Sequence, residues 1–159
     1  MKKLKTQITL PTSLDKAWDF FSSPGNLNEI TPEDMDFRIT SDVPDTMYEG
    51  LIITYVIKPF MGIPMEWVTE ITKIRKPYLF IDEQRKGPYK FWHHEHHFEE
   101  VDGGVLMTDI LYYEVGKGPL GPIAETVFVD RKVRGIFDYR NKKLQSLFSG
   151  QASYEASEG

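Results

Sequence analysis

The architecture of this chain is written most plainly in Phe91-Trp92-His93-His94-Glu95-His96-His97-Phe98-Glu99-Glu100-Val101 and Val105-Leu106-Met107-Thr108-Asp109-Ile110-Leu111-Tyr112-Tyr113, two runs joined by Asp102-Gly103-Gly104. Successive side chains on a strand point to opposite faces. The first run therefore divides into Trp92, His94, His96 and Phe98 on one face and Phe91, His93, Glu95, His97 and Glu99 on the other. The first set is bounded by two large apolar residues and is placed inward. With Asp102-Gly103 as a two-residue hairpin turn, Phe98 pairs with Met107, His96 with Asp109, His94 with Leu111 and Trp92 with Tyr113. A four-residue loop keeps these faces, whereas a three-residue bulged loop shifts them.

Outward from this hairpin, period-two alternation predicts strands over 37–41, 51–58, 64–73 and 79–85, with turn chemistry at Glu49-Gly50, Met61-Gly62, Lys76-Pro77 and Gly87-Pro88. At the start, Lys3 to Leu10 alternates as a strand and Pro11 closes it. Thr12 or Ser13 then caps a short helix in which Leu14, Ala17, Trp18 and Phe21 recur at three and four residues. Ser23-Pro24-Gly25 breaks it, and 26–30 adds a turn or two. After Gly116 to Pro122, a stripe of Ile123, Val127, Val133, Ile136, Phe137, Leu144, Leu147 and Phe148 predicts one long helix. Gly135 inside it costs up to about 1 kcal/mol relative to Ala. The order is that of an α+β domain: a curved antiparallel seven-stranded sheet wrapped around a long C-terminal helix, with two short helices after the first strand. Residues 1–149 form this single domain, and 150–159, small and polar, are expected to be a flexible tail. A curved sheet closed by one helix has room for a hollow between the two.

Composition narrows the function. The 159 residues, 40% hydrophobic and 13% aromatic, suffice for a core without staples. A formal charge of -5 argues against nucleic acid or an anionic membrane as partner. The absence of cysteine excludes disulfides, thiolate zinc sites and a cysteine nucleophile, and it fits the cytoplasm. Apolar runs such as Leu51-Ile52-Ile53 are too short to span a bilayer, and Met1 to Pro11 alternates instead of forming a signal segment. No phosphate-cradling loop, dinucleotide fingerprint or nucleophile elbow occurs, so nucleotide-dependent and serine-hydrolase chemistry lack their signatures.

The pattern Asp82-x-Gln84-x-x-Gly87-Pro88-x-x-x-Trp92-x-His94-x-His96-x-Phe98, then Gly103-Gly104 and Thr108-Asp109-x-x-x-Tyr113, resembles the START-like, or SRPBCC, superfamily of helix-grip, birch-pollen-allergen-like proteins. The opening helix Asp15-x-x-Trp18-x-Phe20-Phe21 shares the likeness, which covers Leu4 to Phe148. More narrowly, the chain looks like the bacterial ligand-binding branch often labelled polyketide cyclase or cell-division inhibitor. The resemblance implies a hydrophobic cavity between sheet and C-terminal helix. It leaves activity open, because this scaffold serves lipid carriers, aromatases, hydrolases, co-chaperones and hormone receptors.

Candidate ligand-binding residues are Trp67, Asp82, Gln84, Trp92, His94, His96, Phe98, Asp109, Leu111, Tyr113 and, from the long helix, Phe128. Asp82 and Gln84 share a face, and two alternatives stand: they point inward with Phe80, or Leu79 and Ile81 do. An imidazole at His96 beside the carboxylate of Asp109 is suited to acid-base catalysis if the protein is an enzyme, and equally to being a satisfied polar pair in a cavity. Two histidines at i and i+2, His94 and His96, can share zinc with Asp109 or Asp82 completing the set. With no cysteine and an incomplete ligand set, neither metal nor other cofactor is expected. His93 and His97 read as solvated. The segments 58–64 and 116–122 place apolar residues beside glycines, as either an entrance gate or simple turns. Arg131, Lys132 and Arg134 read as a solvated basic face. The leading function is binding of a small hydrophobic molecule, lipid-like or aromatic. The alternative is a cyclase, aromatase or dehydratase working in the same cavity, and a protein-interaction adaptor is a third class. The expected partner is thus a small molecule, with no nucleic acid and no integral membrane association.

Overall fold

A computed structural model describes residues 1–116 and 122–157. Seven strands, β1 (Lys2–Leu10), β2 (Arg38–Ile39), β3 (Ile52–Phe60), β4 (Ile63–Arg75), β5 (Leu79–Lys86), β6 (Tyr89–Val101) and β7 (Gly104–Val115), form one antiparallel sheet in the order β1-β7-β6-β5-β4-β3-β2. Strands β2 to β7 lie in a meander, and β1 closes onto β7. Helix α1 (Leu14–Phe21) and two 3-10 turns, Pro24–Ile30 and Glu33–Met35, follow β1, and α2 (Pro122–Ser157) ends the described chain. Ser13 Oγ caps α1 by accepting from the Lys16 amide at 3.3 Å.

The central hairpin has the register that the Asp102-Gly103 turn dictates: Phe98 opposite Met107, His96 opposite Asp109, His94 opposite Leu111 and Trp92 opposite Tyr113. Glycine is required at the start of β7. Gly104 has φ +143°, and a Cβ there would lie 1.9 Å from the Leu10 carbonyl oxygen, where β1 ends against Val105.

The inner face of the sheet packs on α1 and α2. Trp18 of α1 meets Phe80 and Phe98 edge-on at 6.1 and 5.9 Å, and Phe20 meets Phe148 of α2 at 5.4 Å. From α2 the buried stripe is Val129, Val133, Phe137, Arg140, Leu144 and Phe148, spaced by three and four residues. Two boundaries differ from the sequence-based expectation. β2 is two residues long because Ser41 Oγ accepts the Thr54 amide at 3.0 Å, replacing a ladder bond as the chain leaves the sheet. α2 runs to Ser157, across much of the stretch expected as a tail, where Gln151, Ala152, Glu155 and Ala156 all suit a helix. Residues 117–121 of the proposed second gate and the side chain of Ile123 lie outside the described residues.

Leu144 is fully buried where α2 closes on the sheet. Replacing it with Ala should lower unfolding free energy by about 2–5 kcal/mol in urea denaturation. A loss below about 1 kcal/mol would show that α2 does not clamp the domain at this point.

Candidate functional site

Between the inner face of the sheet and α2 lies a cavity of about 170 Å³. One wall is aromatic: Trp67 lies 5.8 Å from Tyr55, 5.5 Å from Tyr89 and 5.2 Å from Trp92, ring centre to ring centre. Ile53, Ile57 and Ile71 extend this wall along β3 and β4, and Val133, Ile136 and Phe137 face it from α2. Phe20, Phe21, Ile30 and Met35 enclose it from the helical side.

Polar atoms gather in the wall formed by β5, β6 and β7. Asp109, 2% exposed, lies behind two histidines. His94 Nε2 donates to Asp109 Oδ1 at 2.9 Å, and His96 Nδ1 lies 3.0 Å from the same oxygen. His96 Nε2 contacts Asp82 Oδ2 at 2.7 Å, and His94 Nδ1 is 3.6 Å from that oxygen. From α2, Arg140 Nη2 lies 3.6 Å from Asp109 Oδ1 and 3.4 Å from His96 Nδ1. His96 stacks on Phe80 at 4.0 Å and lies 3.8 Å from the His94 ring.

These contacts divide the two imidazoles. Burial lowers the His94 pKa and the nearby His96 lowers it further, outweighing the two aspartates, so His94 sits below the ordinary imidazole range. Burial also opposes protonation of His96, but its hydrogen bonds to Asp109 and Asp82 prevail and its pKa is raised. Burial would lift Asp109, yet the Arg140 charge and hydrogen bonds from both histidines hold it well below the usual carboxylate range. Asp82 is likewise lowered despite burial, chiefly by its bond to His96. Each of the two carboxylates thus meets imidazole nitrogens, and Asp109 also the Arg140 guanidinium, which offsets the cost of holding these groups in an apolar interior. Asp82, His94 and His96 each also present a ligand atom, all within 4.8 Å of one another.

Of the residues singled out from sequence, Trp67, Asp82, Trp92, His94 and His96 line the cavity, with Asp109 directly behind the histidines. Asp82 thus faces inward together with Phe80. Gln84 does not reach the cavity: its side chain bonds both backbone groups of Tyr89, at 2.7 and 3.2 Å, and ties the β5–β6 turn. Phe98 packs on Trp18 and Phe21, and Leu111 is fully buried in the core. Tyr113 donates its hydroxyl to Asp130 Oδ1 on α2 at 2.7 Å. Phe128 is a correction. It is 52% exposed, and Val127 beside it is also exposed, because the helical period that buries Val129 and Val133 turns residue 128 about 100° away. On the outer face, His93 meets Glu83 at 2.6 Å and His97 meets Glu95 at 2.7 Å. Segment 58–64 is the β3–β4 hairpin, with Pro59 lining the cavity and Met61 at its exposed tip.

Arg140 is the functional residue that the sequence reasoning missed. Its signal is positional, a guanidinium at the spacing of Val133, Phe137 and Leu144, inside the apolar stripe and not beside it. Arg131, Lys132 and Arg134, read from sequence as a solvated basic face, lie outside that stripe: Arg131 and Arg134 are exposed, and Lys132 pairs with Asp34 at the surface.

A seven-stranded antiparallel sheet gripping a long C-terminal helix defines the helix-grip class of α+β domains. Within it, the fold is similar to that of a solved START superfamily protein. A START superfamily protein from Mycobacterium smegmatis matches with a TM-score of 0.70 at 10% identity, over 94% of this chain and 98% of that one. Protein Ms6760 from Mycobacterium smegmatis matches with a TM-score of 0.68 at 17% identity, over 94% and 92%. Ara h 8.0201 matches with a TM-score of 0.61 at 16% identity, over 91% and 98%. Likeness at these identities shows the fold. No family model and no curated protein matches the chain. No helix among the described residues is long and apolar enough to cross a membrane.

Removing Arg140 would leave Asp109 facing its histidines without its guanidinium. Arg140→Met should therefore cost about 3–5 kcal/mol in urea unfolding, as expected for breaking a buried ion pair. Lys132→Met at the surface should stay within about 0.5 kcal/mol of wild type. Equal effects would mean that Arg140 carries no structural charge pairing.

Proposed function

We propose that the protein binds a small hydrophobic molecule, aromatic or lipid-like, in the cavity between sheet and α2, with the polar end of that molecule against Asp82, His94, His96 and Arg140. The supporting observation is a hollow in an interior where close packing is the rule, apolar on most sides and polar at one place. Its volume is similar to that of an engineered apolar cavity of about 150 Å³ that takes benzene. Two donors in its lining residues, Trp67 Nε1 and Arg140 Nε, are buried without an acceptor among the described residues. Buried donors are normally paired, so they favour a ligand bearing acceptor oxygen. The protein's place of action on this reading is the cytoplasm, in keeping with a chain free of cysteine.

Filling the hollow tests this reading. Wild-type protein should bind an apolar fluorescent probe such as anilinonaphthalene sulfonate, and native mass spectrometry of freshly purified protein should show a co-purifying organic compound. Ile136→Trp, which enlarges a cavity-lining side chain on α2, should weaken probe binding at least about tenfold with no fall in Tm. Equal affinity in the two proteins would refute binding in this cavity.

A second reading is favoured by one observation, the His96 imidazole held between two carboxylates in the cavity wall. In it the protein is a cyclase, aromatase or dehydratase in which His96, oriented by Asp109, moves a proton on a substrate confined by the apolar walls. His96→Gln should then abolish turnover while ligand affinity stays within a few fold. Loss of binding to the same extent as turnover would leave the binding reading alone.

A further inference from the structure

Three adjacent strands place four groups on one patch of the inner face. Asp82 of β5 stands opposite His94 of β6, and His96, two residues on, stands opposite Asp109 of β7. Asp109 Oδ1 takes the back nitrogens of both rings, Nε2 of His94 and Nδ1 of His96. The remaining nitrogens, His94 Nδ1 and His96 Nε2, are thereby turned toward Asp82 Oδ2, at 3.6 and 2.7 Å. An ion bonded at about 2.0–2.1 Å to each of three such atoms separates them by about 3.0–3.4 Å, and the two observed spacings bracket that range.

We propose that Asp82, His94 and His96 form a site for one first-row divalent transition ion, with Asp109 as the shared carboxylate that orients both imidazoles and with the open coordination positions facing the hollow. A histidine that binds metal through one nitrogen characteristically donates its other N–H to a carboxylate, and here one carboxylate serves two rings. Two imidazoles and one carboxylate suit zinc, iron(II), cobalt or nickel, whereas magnesium and calcium take oxygen sets. Arg140 neutralises Asp109, so the cation faces the single negative charge of Asp82 and is held mainly by the rings. Three protein ligands leave positions open, toward a cavity whose other walls are apolar. The inference stands whatever fills the hollow. Where a hydrophobic ligand also enters, its acceptor oxygen is the group placed to complete the coordination.

Chelator-treated wild-type protein is titrated with Zn²⁺ by calorimetry and with Co²⁺ by visible absorption. One ion per chain is expected. Asp82→Asn should weaken binding at least about a hundredfold, and Asp109→Asn by about 10–100-fold, as outer-shell changes do. The outer-face variant His93→Asn/His97→Asn should bind as wild type does. No uptake by wild type, or loss in the outer-face variant with retention in Asp82→Asn, overturns the site and leaves the cluster as a charge-balanced network satisfied by itself. Circular dichroism and Tm establish that each variant is folded. X-ray absorption of the cobalt-loaded wild-type protein, which needs no variant, should show two imidazoles and at least one carboxylate oxygen, and a spectrum with fewer than two imidazoles refutes the assignment. The apolar probe is titrated separately on metal-free protein, so failure of ion binding and failure of hydrophobic binding are read apart.

Discussion

A carboxylate buried in the middle of an otherwise apolar sheet sets the terms for everything near it. Asp109 has almost no access to water, yet its charge persists because Arg140 and two imidazoles converge on one of its oxygens. Taking any one of these away exposes the desolvation cost that the others share. The arrangement also restricts the fold. Arg140 can reach Asp109 only if α2 lies across β6 and β7 with its Val133–Phe137–Leu144 stripe inward, so the ion pair and the apolar stripe specify the same rotation of the helix.

Much of this was legible in the residues alone because a strand's side-chain period is two and admits no partial error. Once Asp102-Gly103 is taken as a two-residue turn, the faces of Trp92, His94, His96 and Phe98 and their partners on β7 follow without further choice. Contacts across the strands followed only in part. Direct pairing puts Asp109 with His96, whose Nδ1 lies 3.0 Å from Asp109 Oδ1, but the imidazole of His94, opposite Leu111, also leans diagonally to hydrogen-bond Asp109, and His96 Nε2 reaches the other way to Asp82. Register names Cα partners; side-chain length and rotamer decide which atoms meet. The uncertainty over Asp82 had a similar source. Phe80-Ile81-Asp82-Glu83-Gln84 offers no clean alternation, and the face is set by the neighbouring strand, through His94 opposite Asp82.

The errors on α2 have another cause. A helix drifts about 100° per residue, so neighbouring apolar residues cannot all face the core: Val129 is buried, whereas Phe128, expected at the ligand, is about half exposed. The same drift hid Arg140, because a charged residue in a long helix is read by type as surface unless its phase is followed from Val133 through Leu144. Gln84 shows the limit of motif-based inference: its amide is occupied with the Tyr89 backbone, so its spacing from Asp82 and Trp92 reflects turn geometry.

The polar wall and the hollow depend on each other. A core filled to normal density beside Asp82 would bring apolar atoms against a carboxylate whose one hydrogen bond among the described residues is to His96, and the half-satisfied group would cost more than the packing contributes. Leaving space there lets Asp82 keep partial access, about 18% for its side chain, while Asp109 behind the rings remains dry. The cost of the space is lost dispersion contact on the surrounding isoleucines and aromatics. Those side chains hold their positions because Trp67, Tyr89 and Trp92 brace one another across β4 and β6 and α2 is tied down on both sides of the hollow, by Tyr113 to Asp130 toward its start and by Phe20 to Phe148 toward its end. The hollow is therefore rimmed by side chains that brace one another, and its two aspartates differ in exposure because Asp82 faces its interior and Asp109 lies behind the imidazoles that do.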